Sequence, residues 1–476
     1  MSGPGVLLKS RGEAPALTPP AAELEDFVGE QLAGRLSRPG ILMLTIPAPV
    51  APPEVLLQGV EAGEDGVFWA SSSGASLVGV GSCHHLALSG DKRFEQLRTR
   101  SRELFSRLEA LTYPGLEAPR PRFLGGLSFA VGSADRGPWR VFGDGSFTLP
   151  RWLYRSDGQT ATLSITLDGS ADETPGVVLG ELAARLERLE TAATEPEAAL
   201  ADLGGHAVPV AVDQLPEELW AAQVEAIRDA IAGGRFRKIV AARRADVTFS
   251  DELEPAALLA RLVTCGPHCR RFAFLRPGAA FLVASPERLI ERHGRSVSTE
   301  ALAGSIGSGP QQAVRLLRST KDRSEHQLVV EHIVARLSPL CRGLDWSREP
   351  QIRELRNLLH LHTPIRGELR ADTHVLDLLE RLHPTPAVGG VPAAAATRWI
   401  AEHEARPRGW YSGPVGWFDA AGDGEFDVAL RSCLLSGKEA LVYAGAGIML
   451  DSDPRLEYQE TELKQRSLLA ALGVGG

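Results

Sequence analysis

The sequence predicts an α+β protein in which large antiparallel sheets are covered by helices. Three observations carry that prediction. Short apolar runs alternate with turn-forming Gly, Ser and Pro, as in "GVFWASSSGASLVGVGS". In the second half several such runs follow one another across short turns, which favours antiparallel pairing. Between them lie long segments with apolar residues at helical spacing, such as Trp220, Val224, Ile227 and Ile231.

Taken in order, residues 1 to about 115 read as strands packed into sheet, followed by "RFLGGLSFAVG", a strand whose glycines allow close backbone approach. A second strand-rich stretch covers 150–167. From about 168 to 212 the chain becomes a polar, alanine-rich helix and then a looser Gly/Pro/Val connection, so the expected division is 1–210, strand-rich and packed into the same body, and 211–476, where the structural signals strengthen. No internal repeat is visible. The helix opened by Asp213 and Pro216 ends at Gly233-Gly234. Next comes "GGRFRKIVAARRADV", where Phe236, Lys238 and Val240 share one strand face and Ile239 and Ala241 the other, so a charge is inserted into an interior strand. The remaining expectations are a helix near 253–263, strands 271–276, 280–284 and 288–297, helices 322–338 and 370–381, strands 411–418, 426–436 and 439–447, and a last helix 454–471.

The chain has 476 residues, 43% hydrophobic and 23% charged, the profile of an ordered protein with a large core. Its net charge of -9 argues against a general nucleic-acid footprint. The first twenty residues have too short an apolar run for a signal peptide, and no stretch of eighteen apolar residues follows, so a cytoplasmic protein without membrane contact is expected. Five cysteines, an odd number, fit reduced thiols, and "CGPHC" lacks both the zinc-knuckle spacing and a second pair. A monomer is the default, since no dimerisation signature is evident.

Several residues invite chemistry, each beside a plainer explanation. Lys238 is a charge hidden in an apolar strand, and therefore the first candidate for a functional role. Glu287, in "ASPERL" after an apolar strand, either faces a cleft or is a turn carboxylate in water. Glu331, in "HQLVVEHIVARL", stands at helical spacing from Leu328 and Ala335, and a buried carboxylate is costly unless paired or ligated. Glu457, Glu460 and Lys464, three and four residues apart, fall on one side of the last helix, for which a surface salt-bridge ladder is the plain explanation. "GSIGSG", Gly304 to Gly309, lacks the Gly-Lys-Ser/Thr ending of a phosphate loop.

The ordered set "RKIVAARRADV", "FLVASPERLIERHGRSVSTEALAGSIGSG", "SEHQLVVEHI", "HPTPAVGGVP", "WYSGPVGWF", "FDVALRSCLLSG" and "VYAGAGIMLDSDPRLEYQETELK" resembles the chorismate-utilising enzymes, specifically the isochorismate synthases. The resemblance covers about 213–472 and is weaker over the first 210 residues. It implies an anthranilate synthase component I-like fold and Mg²⁺-dependent chemistry on chorismate. By resemblance, Lys238 is the base that activates water and Glu287 the acid that assists loss of the C4 hydroxyl. Glu331 and Glu460 carry the metal, with Glu457 beside it. Arg431, Tyr411 and backbone N–H groups around Gly445 and Gly447 meet the enolpyruvyl carboxylate. Lys464 adds positive charge near the ring carboxylate or the metal, and His360 matches the family's pocket histidine, with His362 assigned to structure.

The same resemblance bears on the subgroup. Ammonia-using relatives carry glutamine where Lys238 stands, and aminodeoxychorismate synthases place a nucleophilic lysine where Ala303 stands. Salicylate synthases commonly have threonine where Ala387 stands. These three positions favour isochorismate as the product, with salicylate synthase as the first alternative, then an anthranilate synthase-like enzyme, and a noncatalytic chorismate-binding protein last. Menaquinone biosynthesis is the favoured pathway.

Overall fold

The computed structural model describes residues 19–475 except 37–38, 61–62, 118, 170–172, 205–206 and 267. Most of the opening segment weighed as a signal peptide, and Pro267 within "CGPHC", lie outside the described residues. The five cysteines are free thiols, and four of them are buried.

Alternating apolar residues pair the strands into one continuous, branched antiparallel network, with a single parallel pair among the described residues. Strand Lys238–Phe249 pairs with Glu439–Ile448, which pairs with Ser432–Ser436, then Ala279–Ser285, Arg270–Arg276, Gly66–Ala70 and Ser76–Leu88. The path continues to Gly145–Ser156 and divides there. One branch runs through Ala161–Asp168 and Ile41–Ala48 to the parallel strand Leu108–Thr112. The other runs through Arg122–Leu127, Pro414–Asp419, Gly424–Val428, Arg288–His293 and Ser296–Gly307 to Leu358–Leu369. Strands lying wholly within the first 210 residues therefore pair directly with strands from the second half, Gly66–Ala70 on Arg270–Arg276 and Arg122–Leu127 on Pro414–Asp419, and strand Pro209–Gln214, which straddles the boundary, pairs with the lysine strand.

Helices cover this network, giving the expected α+β architecture. Two of them position the site. Helix Thr320–Leu337 begins at Ser319, whose hydroxyl accepts from the Asp322 N–H, and packs its Val329, Ile333 and Leu337 into the core. Helix Pro454–Ala471 begins at Asp453, whose carboxylate accepts from the N–H groups of Arg455 and Leu456, with Pro454 in the first turn where a missing N–H costs nothing. Among the described residues no helix is long and apolar enough to cross a membrane.

Some elements differ from the sequence expectation. The strand expected over 288–297 is a hairpin, because Gly294 at φ 57° turns the chain between Arg288–His293 and Ser296–Gly307. The strand expected over 426–436 is two strands, Gly424–Val428 and Ser432–Ser436, separated by Ala429, Leu430 and Arg431, the last at φ 49°. Helices Ala21–Leu32, Arg93–Ser106 and Ala393–His403, and strands Cys341–Trp346, Gln351–Leu355 and Leu358–Leu369, were not foreseen from periodicity.

Candidate active site

The site is built on the face of the lysine strand. In its pairing with Glu439–Ile448, Val240 lies opposite Gly447 and Ala242 opposite Gly445. Lys238 is fully buried, and its Nζ lies 2.9 Å from Glu325 Oε1, an ion pair without the alignment of a directed hydrogen bond. Gly447 is the residue that lets these two meet. A Cβ there would sit 2.1 Å from Glu325 Oε1 and 2.8 Å from Lys238 Cε.

Glu325 takes the place expected of Glu331. On helix Thr320–Leu337, Glu325 falls on the stripe continued by Val329, Ile333 and Leu337 at intervals of four residues, and it lines the pocket. Glu331 is six residues further on, about 120° around the helix. It is exposed, accepts a hydrogen bond from Gln327 on the same helix at 3.2 Å, and does not line the pocket. The expectation for Glu331 is therefore corrected: the carboxylate that this helix presents is Glu325.

The C-terminal helix supplies the facing acids. Glu460 Oε1 is 2.6 Å from Lys464 Nζ, which also donates to the Gly445 carbonyl at 2.8 Å. Glu457 is buried and accepts from Lys321. Burial, then the Glu460 charge, pushes the Glu457 carboxyl up to about 7 against the opposing pull of Lys321. For Glu325 burial acts upward as the largest influence, yet Lys238, Lys321 and Lys464 together hold its carboxyl below the usual range. Three carboxylates, Glu325, Glu457 and Glu460, and three lysines, Lys238, Lys321 and Lys464, thus gather between the two helices and the lysine strand.

Glu287 forms another wall. Its peptide is fixed by the Ser285 hydroxyl, which accepts from the Glu287 N–H at 3.2 Å, and by the Val428 N–H, which donates to its carbonyl at 3.1 Å. The side chain is 2% exposed, and desolvation with the nearby Glu300 and Asp427 charges pushes it up to about 8, while Lys238 and Arg353 pull the other way. Glu300 stays ionised despite burial because it accepts from Arg353 at 2.8 Å, from the Arg288 N–H at 2.8 Å, and pairs with His362 at 3.0 Å. His362 therefore belongs to the support of the acid wall, in keeping with its structural assignment.

Seven further expected residues line the pocket of about 700 Å³, counting its open mouth, together with Glu287, Glu325 and Glu460: His360, Ala387, Tyr411, Arg431, Gly445, Gly447 and Lys464; the buried Lys238 and Glu457 are not part of its lining and reach it through Glu325 and beside Glu460. Arg431 is half-buried, and one of its guanidinium N–H groups donates to the Lys464 carbonyl at 3.1 Å. His360 Nδ1 is 2.9 Å from the Ser305 hydroxyl, while its buried Nε2 has no partner, and burial holds the ring well below its ordinary pKa. A neutral imidazole with one free nitrogen on a pocket wall suits a polar ligand atom. Tyr411 stacks on Tyr443 with centroids 5.0 Å apart.

Sequence reasoning missed Arg408. This buried guanidinium donates to the Val388 carbonyl at 2.7 Å and the Val240 carbonyl at 2.8 Å, tying the Ala387 loop to the lysine strand, and it is charge-paired with Glu404 at 2.5 Å. Glu325 had a legible signal, as a carboxylate on an apolar helical stripe. Arg408 had none, because its partners are distant backbone carbonyls.

Among the described residues no three His, Cys, Asp or Glu groups form a ready metal cluster. The donor chemistry nevertheless suits a hard cation: Glu325 and Glu460 offer only oxygen, Glu457 lies beside them, and the mutual repulsion felt by Glu457 is what a divalent ion would relieve.

The chain matches the family model described as chorismate binding enzyme over residues 30–473. It is 37% identical over 364 residues to the "Salicylate biosynthesis isochorismate synthase" of Pseudomonas aeruginosa, covering 75% of each chain. It superimposes with a TM-score of 0.75 and 28% identity on the menaquinone-specific isochorismate synthase MenF of Escherichia coli, covering 94% of this chain and 99% of that one. Anthranilate synthase component I of Streptococcus pneumoniae shares the fold, with a TM-score of 0.65 at 20% identity over 84% of this chain and 92% of that one. The curled antiparallel sheet, its covering helices and the full-length match agree: the chain belongs to the chorismate-binding enzyme family, with the anthranilate synthase component I-like fold.

Proposed function

We propose that the chain is an isochorismate synthase, which converts chorismate reversibly to isochorismate by adding water at C2 and releasing the C4 hydroxyl. The observation that carries this reading is Glu287, a buried pocket carboxyl pushed up to about 8 and therefore mostly protonated at neutral pH. A protonated carboxyl can donate to a departing hydroxyl, whereas an ordinary glutamate cannot.

In this scheme the amine of Lys238 takes a proton from water as the oxygen bonds to C2. The ring double bonds shift, and Glu287 delivers its proton to the oxygen leaving C4. The amine lies 2.9 Å from Glu325 Oε1, and it must leave that contact, as a free base, to take the proton. Arg431 offers its fork to one substrate carboxylate, and Lys464 adds positive charge at the ring carboxylate. Glu325 and Glu460, with Glu457 beside them, would hold Mg²⁺, which supplies positive charge for binding the ring carboxylate. Ala387 puts only a methyl group on the pocket wall, with no hydroxyl to orient a pyruvate elimination. Likeness to the menaquinone-specific relative supports menaquinone as the destination.

One chromatographic assay tests this. Purified protein with chorismate and Mg²⁺ should form isochorismate with chorismate remaining, and little salicylate or pyruvate. Salicylate as the main product would make it a salicylate synthase. Anthranilate or an aminodeoxy product when ammonia is supplied would overturn the water-nucleophile scheme.

A further inference from the structure

The edge of the lysine strand is interrupted beside the active pocket. Strand Pro209–Gln214 pairs with it only from Ala245 onward, and Gly390–Val391 pairs only with its first two residues. Among the described residues no strand fills the gap between them. A pair of side chains does. The Ala242 N–H donates to Glu404 at 3.1 Å, and the Val240 carbonyl accepts from Arg408 at 2.8 Å. Both side chains are almost fully buried, Glu404 at 6% and Arg408 at 2% exposure, so they stand where the backbone of a neighbouring strand would otherwise satisfy these groups.

Two arginines line the active pocket, and their donors are committed differently. Each of the five N–H donors of Arg408 is matched by an acceptor: Glu404 at 2.8 and 2.5 Å, the Val388 carbonyl at 2.7 Å, the Ser412 hydroxyl at 3.3 Å and the Val240 carbonyl at 2.8 Å. Its guanidinium also lies 4.4 Å over the Phe129 ring. Arg408 therefore has no donor left for a substrate carboxylate, and its charge is already balanced by Glu404. Arg431, by contrast, donates to the Lys464 carbonyl alone among the described residues, which leaves most of its fork for a ligand. What Arg408 holds instead is the protein. Val240 lies two residues from Lys238, Val388 follows Ala387, and Ser412 follows Tyr411 at φ 58°, a conformation that a non-glycine residue keeps only where its surroundings fix it.

We propose that Glu404 and Arg408 are a positioning pair for the reaction, fixing the strand of Lys238, the Ala387 wall and the Tyr411 turn relative to one another, and that Arg408 does not itself bind substrate. The effect on turnover rests on the isochorismate synthase reading. Lysine cannot replace this arginine, because an ammonium has three donors on a flexible stem where all five of a planar fork are used. A displacement of the reacting groups by about 1 Å costs on the order of 100-fold in rate. Arg431 and Lys464, which are assigned to the substrate carboxylates, are held by other contacts and stay in place.

The test is Arg408→Lys in the full chain with Mg²⁺. Turnover of chorismate should fall about tenfold or more while KM changes by less than about threefold. Amide exchange followed by mass spectrometry should rise about tenfold in peptides spanning 238–242 and 387–391 and stay at the parental rate in Arg270–Arg276. Should the lysine variant not fold, Ser412→Ala removes a single contact of Arg408, with an expected fall in kcat of about threefold at unchanged KM. Parental kcat in either folded variant overturns the proposal. A rise in KM with kcat unchanged also overturns it, since that would make Arg408 a substrate ligand. Exchange that rises equally in every strand does so as well, being the mark of a general loss of stability. If the parent itself converts no chorismate, the proposed function falls, and the exchange pattern by itself still decides whether the pair holds these segments.

Discussion

Replacing Glu287 by Gln separates its chemical role from its energetic one. Because folding raises this carboxyl from its ordinary 4.5 to about 8, the folded protein holds a proton that the unfolded chain has released across that interval. Stability associated with the group is therefore fully present below pH 4.5 and is lost as pH rises towards about 8, at roughly 1.4 kcal/mol per pH unit. The whole interval amounts to about 5 kcal/mol as an order of magnitude. Glutamine is neutral throughout and has nearly the same shape, so Glu287→Gln should become progressively more stable relative to the parent between about pH 5 and pH 8, by roughly 3–4 kcal/mol. Urea unfolding of both proteins across that range measures the difference directly. Turnover should fall by roughly 10²–10⁴-fold, the usual contribution of a general acid, and the alkaline fall of kcat/KM expected near pH 8 should disappear. A stability difference that does not change with pH would refute the buried, protonated carboxyl. A kcat/KM profile unchanged by the substitution would refute its role as the acid.

Glu325→Gln should raise the Mg²⁺ concentration needed for half-maximal activity, while Glu331→Gln, on the exposed face, should leave that curve where it is; equal shifts would move the metal away from Glu325. Gly447→Ala forces a Cβ to within 2.1 Å of Glu325 Oε1 and should cost about 1–3 kcal/mol together with most of the turnover, so a fully active, equally stable variant would contradict the packing of Lys238 against Glu325. Ala387→Thr should raise salicylate and pyruvate formation if this wall controls the fate of isochorismate, and an unchanged product ratio by chromatography would remove that position from the specificity account.

The sequence by itself determined the α+β class, the helix that carries Glu457, Glu460 and Lys464, and the anomaly of Lys238, because these depend on local periodicity and on a charge where an apolar residue is expected. Ordered motifs brought the family within reach before any coordinate. Tertiary structure decided which carboxylate of helix Thr320–Leu337 faces the pocket. Along the chain Glu325 stands in line with Val329, Ile333 and Leu337 and Glu331 near Leu328 and Ala335, so both had apolar neighbours, and packing of Val329 and Ile333 into the core fixes the rotation that buries the first and exposes the second. Glu287 shows the same division: its place after an apolar strand was visible, but its raised pKa comes from burial and from Glu300 and Asp427, which reach it through strand pairing over many residues. Arg408 lay beyond sequence reasoning altogether, since the carbonyls of Val240 and Val388 that define its role come together only when the chain has folded. Local pattern records the preference of each segment, whereas burial, charge proximity and helix rotation are properties of surfaces that meet from distant parts of the chain.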